Sequence, residues 1–306
     1  MSLSSPDVNG NSIPGPSNRG GGLKAPFGAG RGEKVGELVK VVIFCGGLGM
    51  RLRDFSESIP KPMVPVGYRP ILWHLMRYYA HFGHKEFILC LGYKADYIKK
   101  YFMEYDETVS NDFVMRQGGK QVDLLASDIQ DWQITFVDTG MNSNIGQRLK
   151  LVQRYVEDEE MFLANYSDGL SDLPLPEMIS SLQSQPDAVA SFAGVPPTSS
   201  FSVVQVDDCG RVRRIEHIRD SGVRINGGFF ALRNRIFEYL NDGDELVEEP
   251  FRRLAAEGRL LAYKYDGFWA CMDTFREKQL LDDMYIRGQG PWEVWKSRPD
   301  HLKATG

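Results

Sequence analysis

The strongest constraint on the fold is a short apolar segment that ends in a glycine-rich loop. Residues 38–44 read Leu-Val-Lys-Val-Val-Ile-Phe, a largely β-branched run typical of a strand buried inside a parallel sheet. Gly46, Gly47 and Gly49 follow, where glycine lets the backbone turn sharply and bring its N–H groups close to a phosphate. The sequence therefore predicts a strand followed by a phosphate-binding loop.

Strand and helix patterns alternate after this loop. Apolar residues recur at helical spacing from Ile71 to Phe82, and Gly83 then supplies a stop. Further segments continue the alternation: a strand at 87–91, a strand at 134–137, a helix carrying Leu149, Val152 and Val156, and a strand at 161–166. From about residue 188 short alternating strands appear, such as 202–206, which ends at a hairpin signal at 207–210. This order predicts an α/β core with a parallel sheet and a more antiparallel C-terminal portion.

The first 36 residues differ from the rest. Residues 1–36 are rich in Ser, Gly, Pro and Asn and have almost no large apolar side chains, so they cannot bury enough surface to offset the entropy of ordering. We predict a disordered N-terminal arm or leader over 1–36. One folded domain is predicted over 37–306, because no linker interrupts it.

Composition excludes several classes of protein. The chain has 306 residues, of which 42% are hydrophobic and 25% charged, which is globular, and a net charge of −5. That charge argues against binding to nucleic acid or anionic membranes, so basic residues near the site would have to hold any phosphate. The sequence contains no run of eighteen apolar residues, so it predicts no membrane span. The four cysteines lie far apart and form no Cys-x-x-Cys pair, which favours a reducing, cytoplasmic setting.

The glycine loop matches neither common nucleotide signature. A Walker loop would end in Gly-Lys-Ser/Thr, and a dinucleotide fingerprint would need a third glycine where Leu52 stands. The loop instead leads to Arg51 and to Lys61, which lies between Pro60 and Pro62. Prolines fix the backbone on both sides of this lysine, so we interpret the segment as a phosphate cradle with charge clamps. The alternative is a tight strand-to-helix turn with a surface arginine.

Two aspartates are candidate metal ligands. Asp168 follows the strand at 161–166, where open α/β sheets place their ligand crevice, and Asp273 lies far downstream. Mg²⁺ takes one or two carboxylates and completes its coordination with water and phosphate oxygens. The alternative interpretations are a turn at Asp168-Gly169 and a capping box in which Thr274 and Glu277 begin a helix.

With these residues in place, the chain resembles the glucose-1-phosphate cytidylyltransferases, within the sugar-1-phosphate nucleotidylyltransferase family, over nearly its whole ordered length. The matching segments are Gly46-Gly47-Leu48-Gly49, Arg51-Leu52, Lys61-Pro62-Met63-Val64, Pro70-Ile71-Leu72-Trp73-His74, Gly92-Tyr93-Lys94, Val137-Asp138-Thr139-Gly140, Arg148-Leu149-Lys150, Asp168-Gly169, Ile225-Asn226-Gly227-Gly228-Phe229-Phe230, Gly267-Phe268-Trp269 and Met272-Asp273-Thr274.

The resemblance implies a Rossmann-like fold with a mixed, mostly parallel central sheet and helices on both faces. It implies that a sugar-1-phosphate oxygen attacks the α-phosphorus of CTP and expels pyrophosphate, with Mg²⁺ as cofactor and a homo-oligomer as the assembly. Arg51 and Lys61 would be catalytic, on the phosphates, and Asp168 and Asp273 would hold the metal. The implied nucleotide contacts are Gly46, Gly47, Gly49, Met50, Gly92 and Tyr93, and the implied substrate contacts are Arg148, Gly169, Glu216 and Asn226. His74 and His81 are interpreted as helix residues rather than ligands.

The chain departs from the family pattern mainly on the sugar side. Met50 stands where the family commonly has a small hydroxyl residue, and Ser200-Phe201-Ser202 replaces Arg-Phe-Gly. Where the family has Glu-Lys-Pro, with the lysine on the sugar phosphate, this chain has Glu216-His217-Ile218. Three nearby arginines are candidates to replace that lysine: Arg213, Arg214 and Arg219.

Three functions are compared with this pattern. An active cytidylyltransferase is the first, with UTP or dTTP as alternative donors and another sugar phosphate as an alternative acceptor. The second is a non-catalytic regulatory subunit that binds nucleotide sugars, which the retention of Arg51, Lys61 and both aspartates argues against. The third, a nicotinamide-dependent oxidoreductase, fails because the dinucleotide fingerprint is missing.

Overall fold

The protein is built from strands and helices that alternate along the chain. A computed structural model describes residues 38–47, 59–198 and 201–296. The strands are β1 Val41–Phe44, β2 Pro65–Val66, β3 Arg69–Pro70, β4 Glu86–Leu91, β5 Phe113–Arg116, β6 Gln121–Leu124, β7 Gln133–Asp138, β8 Met161–Tyr166, β9 Gly169–Ser171, β10 Ala190–Val195, β11 Ser202–Val206, β12 Val212–His217, β13 Ile225–Arg233, β14 Leu260–Lys264 and β15 Trp269–Cys271. The α-helices are α1 Ile71–His81, α2 Ala95–Met103, α3 Ile145–Val152, α4 Leu175–Gln183, α5 Glu249–Ala256 and α6 Phe275–Ile286.

Seven strands form the central sheet, in the order β14-β10-β13-β8-β1-β4-β7. Strands β7, β4, β1 and β8 are mutually parallel, and β14 is parallel to β10. Strand β13 runs antiparallel to both of its neighbours, β8 and β10. The predicted mixed, mostly parallel sheet is therefore confirmed, and its antiparallel element comes from the C-terminal half, as the sequence indicates.

Helices cover both faces of this sheet. Val41 and Ile43 of β1 belong to the core that includes the buried residues of α1 and α4, whereas Val42 and Phe44 belong to the core that includes those of α3 and α5. Successive side chains of a strand point to opposite faces, so a strand covered on both sides must be apolar throughout. This explains the continuous apolar run of the first strand.

The sequence patterns locate several elements closely. The strand predicted at 161–166 is β8, and the hairpin signal at 207–210 separates β11 from β12, which pair antiparallel. Gly83, with a φ of +94°, follows the end of α1, as expected of a glycine stop. Val156 is buried but lies beyond α3, because the last turn tightens into a 3-10 turn at Gln153–Tyr155.

The disordered arm predicted over residues 1–36 lies outside the described residues, so it stays a prediction. Across the described ranges, no helix is long and apolar enough to cross a membrane.

The segment after α6 returns to pack on α1. Trp292 is completely buried, and its indole Nε1 donates a hydrogen bond of 3.3 Å to Nδ1 of His74. The other ring nitrogen of His74 lies 2.9 Å from the carbonyl oxygen of Val66. His74 is therefore neutral, with its proton on Nε2, since Nδ1 must accept and Nε2 must donate. The interpretation of His74 as a helix residue agrees with this core position.

We expect acid to destabilise the fold through His74. Burial lowers the pKa of His74 from 6.5 to about 4, because desolvation outweighs its hydrogen bond to Val66. Between pH 6.5 and about pH 4, the unfolded chain therefore binds a proton at His74 that the folded chain does not. The free energy of unfolding falls as the pH drops through this range, by about 3 kcal/mol in total. Urea unfolding at a series of pH values would measure this loss. The His74→Gln variant should show a shallower pH dependence, and equal slopes for the two proteins would contradict the prediction.

Candidate active site

The candidate site lies at the carboxyl ends of β1, β4, β7 and β8. The order of the parallel strands reverses at β1, with β4 on one side and β8 on the other, and α/β sheets bind their ligands at such a switch point. Phe44 of β1 pairs with Tyr166 of β8. The residues that follow these two strands, Gly46 on one and Asp168 on the other, therefore emerge next to each other.

Lys61 joins the two aspartates predicted as metal ligands. Its ammonium group donates one hydrogen bond to Oδ2 of Asp168 and another to Oδ1 of Asp273. The Lys61 side chain is 14% exposed, and the two carboxylates are 23% and 32% exposed. Three of the predicted site residues thus form one charged cluster, in which two carboxylates share a cation.

A small antiparallel ribbon brings the two aspartates together. Cys271 of β15 pairs with Gly169 of β9, and the N–H of Met272 donates a 2.9 Å hydrogen bond to the carbonyl oxygen of Asp168. Asp273 then precedes Thr274, which begins α6 with the capping box that the sequence suggests. The capping interpretation is confirmed, and it is compatible with a site role because Asp273 contacts Glu277 through its backbone N–H, while its carboxylate contacts Lys61.

The backbone around Lys61 is fixed by its neighbours. Lys61 begins a 3-10 turn, Lys61–Met63, which Pro60 precedes, and the N–H of Met63 donates to the carbonyl oxygen of Pro60 at 2.8 Å. Burial is the largest single influence on the ammonium group and disfavours its charge, but the two carboxylates together outweigh it and raise the pKa of Lys61. Lys61 is therefore a protonated cation at neutral pH.

Arg148 of α3 forms a second cluster beneath the glycine loop. Its Nη1 donates to Thr139 Oγ1 at 2.6 Å and to the carbonyl oxygens of Gly140 and Leu91. Its Nη2 donates to the carbonyl oxygen of Gly46 at 3.0 Å. The guanidinium thus connects the carboxyl ends of β1, β4 and β7. Burial lowers the pKa of Arg148, although the group stays charged because an arginine pKa starts so high.

Two predicted nucleotide-binding glycines are required by this packing. A Cβ atom on Gly46 would lie 2.0 Å from Nη1 of Arg148. A Cβ atom on Gly92 would lie 2.7 Å from the carbonyl oxygen of Gly140 and 2.9 Å from that of Gly46. Real Cβ atoms do not approach other atoms so closely. Gly46 and Gly92 therefore admit the guanidinium, whatever further contact they make with a ligand.

Asn226 lies beside Tyr166, which precedes Asp168 by two residues in the chain. Its side-chain oxygen accepts a 2.9 Å hydrogen bond from the N–H of Gly228, and its amide nitrogen faces the hydroxyl of Tyr166 at 3.4 Å. The indole of Trp269 donates to the carbonyl oxygen of Gly227 at 2.7 Å. Tyr166 and Trp269 are organising residues that the sequence reasoning did not assign. The Gly-Gly pair beside Asn226 is the signal for them, because a Cβ atom on Gly228 would meet the ring of Tyr166 at 2.6 Å.

The remaining predicted residues have different surroundings. Gly47 is exposed, and Tyr93 follows β4, with the Lys94 ammonium 5.3 Å from the centre of its ring. Gly169 is buried beside Trp269. Glu216 pairs with Arg214 at 2.5 Å on β12, and no contact among the described residues links it to either cluster. Gly49, Met50 and Arg51 lie outside the described residues, so their roles stay predictions.

An open groove of about 790 Å³ lies between β15 and α6 on one side and the residues that flank the hairpin of β11 and β12 on the other. Trp269, Cys271 and Thr274, which lie close to Asp273 in the chain, line one part of it, and Phe201 and Arg219 line another. Arg219 is exposed, and no salt bridge joins it to another described residue. Arg219 thus lines the same groove as Cys271 and Thr274, which lie on either side of Asp273 in the chain.

We expect the two adjacent loop glycines to differ sharply when replaced. Gly46→Ala should lower the free energy of unfolding by about 2–3 kcal/mol, because the new methyl group displaces the Arg148 guanidinium from its carbonyl partners. Gly47→Ala is the matched control and should stay within about 0.5 kcal/mol of wild type, since its Cβ atom would meet no atom of the described residues within 4 Å. Chemical denaturation measures both, and equal losses in the two variants would contradict the packing described for Arg148.

Comparison with known proteins agrees with this geometry. Residues 40–270 match the family model described as nucleotidyl transferase. Glucose-1-phosphate cytidylyltransferases of Salmonella typhi and Salmonella typhimurium strain LT2 are each 38% identical over 260 residues, which is 84% of this chain and 100% of each relative. The crystal structure of a UDP-glucose pyrophosphorylase complexed with UDP-glucose shares the fold, with a TM-score of 0.58 and 16% identity over 82% of this chain and 100% of that one. The match over most of the chain confirms the predicted family, and the chain belongs to the nucleotidyl transferases.

Proposed function

We propose that this chain transfers the cytidylyl group of CTP to a sugar 1-phosphate, with glucose 1-phosphate as the acceptor, and releases a CDP-sugar and pyrophosphate. The observation that carries the proposal is the cluster of Lys61, Asp168 and Asp273 at the switch point of the sheet. The name of the Salmonella relatives gives the donor and the acceptor. UTP or dTTP as donor, or another sugar phosphate, is the alternative.

The two aspartates fit a divalent metal. They already converge on a single cation, the Lys61 ammonium, so their oxygens can face one ion. Among the described residues no three acidic, histidine or cysteine side chains surround one point. This suits Mg²⁺, which takes few protein ligands and shares its coordination with substrate phosphates. Mg²⁺ bound by Asp168 and Asp273 would neutralise the phosphate charge that grows during transfer.

The protein groups contribute position and charge. The attacking oxygen belongs to the sugar phosphate, so no side-chain nucleophile is needed, and in-line positioning with charge neutralisation supplies most of the catalysis. Lys61 is mostly buried, protonated and adjacent to the proposed metal ligands, which suits it to bind the triphosphate. Arg51 is proposed for the same task. We propose that Gly46, Gly47, Gly49, Met50, Gly92 and Tyr93 contact the nucleotide.

The substrate contacts remain proposals as well. Gly169 and Asn226 lie beside Tyr166 and Trp269, next to Asp168, which supports their placement near the sugar. Arg148 is proposed to reach the substrate phosphate, although its described contacts are all to strand ends. Glu216 lies on the hairpin that borders the groove. A homo-oligomer and a cytoplasmic setting also stay proposals, and the four unpaired cysteines are compatible with the second.

Arg219 is the arginine best placed to bind the acceptor phosphate. Arg213 pairs with Asp207 at 2.7 Å and Arg214 pairs with Glu216 at 2.5 Å, so both already have carboxylate partners. Arg219 instead lines the groove beside Cys271 and Thr274, and it has no carboxylate partner among the described residues. Such an arginine is suited to bind a phosphate through two hydrogen bonds.

The activity itself is tested by pyrophosphate release. The purified protein, with Mg²⁺, should turn over CTP and glucose 1-phosphate faster than any other pair from a panel of nucleoside triphosphates and sugar 1-phosphates. Asp168→Asn and Asp273→Asn should each lower kcat at least about a hundredfold, because each removes charge from the phosphate-binding cluster. Asp131→Asn, at an exposed ion pair with Lys85, is the control and should retain full activity. Thermal stabilisation by nucleotide sugars without turnover of any pair would identify a non-catalytic subunit instead.

The role of Arg219 is tested by steady-state kinetics. Arg219→Met should raise KM for the sugar phosphate about tenfold or more, because a charge-assisted hydrogen bond is lost, and should leave KM for CTP nearly unchanged. Arg213→Met is the matched control on the same hairpin and should leave both KM values unchanged. An equal effect of the two variants, or a change confined to CTP, would contradict the assignment.

A further inference from the structure

Three charges share a confined space in the candidate site. The ammonium of Lys61 contacts one oxygen of Asp168 and one oxygen of Asp273 at the same time. The lysine side chain is mostly buried, and the ribbon of β9 and β15 holds the two aspartates close together. Without the ammonium, the two carboxylates would face each other at short range and repel. Lys61 therefore acts as the counter-ion of the pair.

The same two carboxylates are the proposed metal ligands, and this part of the reasoning rests on the proposed function. A divalent cation that binds between Asp168 and Asp273 needs oxygens that Lys61 now engages. An ammonium and a dication in the same place would repel each other strongly. We infer that Lys61 is a built-in competitor of the metal, and that it leaves the two carboxylates when a divalent cation binds.

The local structure allows this exchange by side-chain rotation alone. The backbone of Lys61 is held in its 3-10 turn by the hydrogen bonds from Met63 and Val64 to the residues that begin the turn. The lysine head group is a point charge on a four-carbon stem with several rotatable bonds, so it moves without the backbone. The nearest new partner for a displaced cation at this site is the triphosphate that Lys61 is proposed to bind.

Because Lys61 competes with the metal for the two carboxylates, the metal affinity depends on which group the Lys61 ammonium contacts. The apparent affinity of a site that is open for only a fraction of the time is reduced by that fraction. The nucleotide-free protein should therefore bind a divalent cation weakly. Any anion that takes Lys61 away should tighten metal binding, and by linkage the metal should tighten the binding of that anion equally.

The experiment measures Mn²⁺ binding to nucleotide-free protein, by electron paramagnetic resonance of free Mn²⁺ and by calorimetry. Lys61→Met keeps the length of the side chain without its charge, and should bind Mn²⁺ about tenfold or more tightly than wild type, because the competitor is gone. Lys61→Arg keeps the charge and should bind as weakly as wild type. Lys40→Met is the matched control: Lys40 pairs with Glu159 at 2.9 Å before β1, at the opposite end of the sheet, and its loss should change nothing.

Two further measurements separate the outcomes. Adding Asp168→Asn to the Lys61→Met variant should abolish its tighter binding of Mn²⁺. That loss would assign the bound Mn²⁺ to Asp168 and Asp273. Lys61→Met should also melt at a lower temperature than wild type in EDTA. Mn²⁺ should raise the melting temperature of Lys61→Met by more than it raises that of wild type. If Lys61→Met binds Mn²⁺ no more tightly than wild type while binding still depends on Asp168, the inference is wrong and the metal site stands. If no variant binds Mn²⁺, the inference and the proposed metal site both fail.

Discussion

Carbonyl oxygens at the ends of three parallel strands point into one small space, and the buried guanidinium of Arg148 is what makes that space stable. Its hydrogen bonds to the carbonyl oxygens of Gly46, Leu91 and Gly140 join the three strand ends through one donor group. Among the described residues, carbonyl dipoles and not a salt bridge to a carboxylate surround this charge. This arrangement explains why glycine stands at position 46.

The second constraint acts across a longer span of the chain. Strand β13, from the C-terminal half, inserts into the sheet beside β8, and the ribbon of β9 and β15 then holds Asp273 against Asp168. The contact between the two aspartates comes from the pairing of β9 with β15, which are far apart in the chain. The charged cluster therefore depends on segments from both halves of the chain, whereas the described hydrogen-bond partners of the Arg148 guanidinium all come from the first half.

Sequence reasoning succeeds where the signal is local. Strand β8 follows from an apolar run bounded by polar residues, and the end of α1 follows from Gly83, because both patterns reflect burial and backbone geometry of adjacent residues. It cannot place Asp168 against Asp273, since that contact comes from a strand pairing between distant segments, and family resemblance had to supply it. The choice among Arg213, Arg214 and Arg219 likewise needs the salt bridges of the folded hairpin. The helix carrying Val156 is too long in the prediction because burial alone does not distinguish an α-helix from the tighter turn that follows it.

The position of β8 has a consequence for synthesis on the ribosome. Strand β8 is flanked by β1, which emerges early, and by β13, which ends at Arg233. Until that residue leaves the exit tunnel, one side of β8 presents unpaired N–H and C=O groups along a strand that begins with the apolar run Met-Phe-Leu-Ala. A nascent chain at this stage is a partly built sheet with an open edge, the kind of species on which holding chaperones act. The late antiparallel strand thus joins β8 to β10 as well as carrying Asn226.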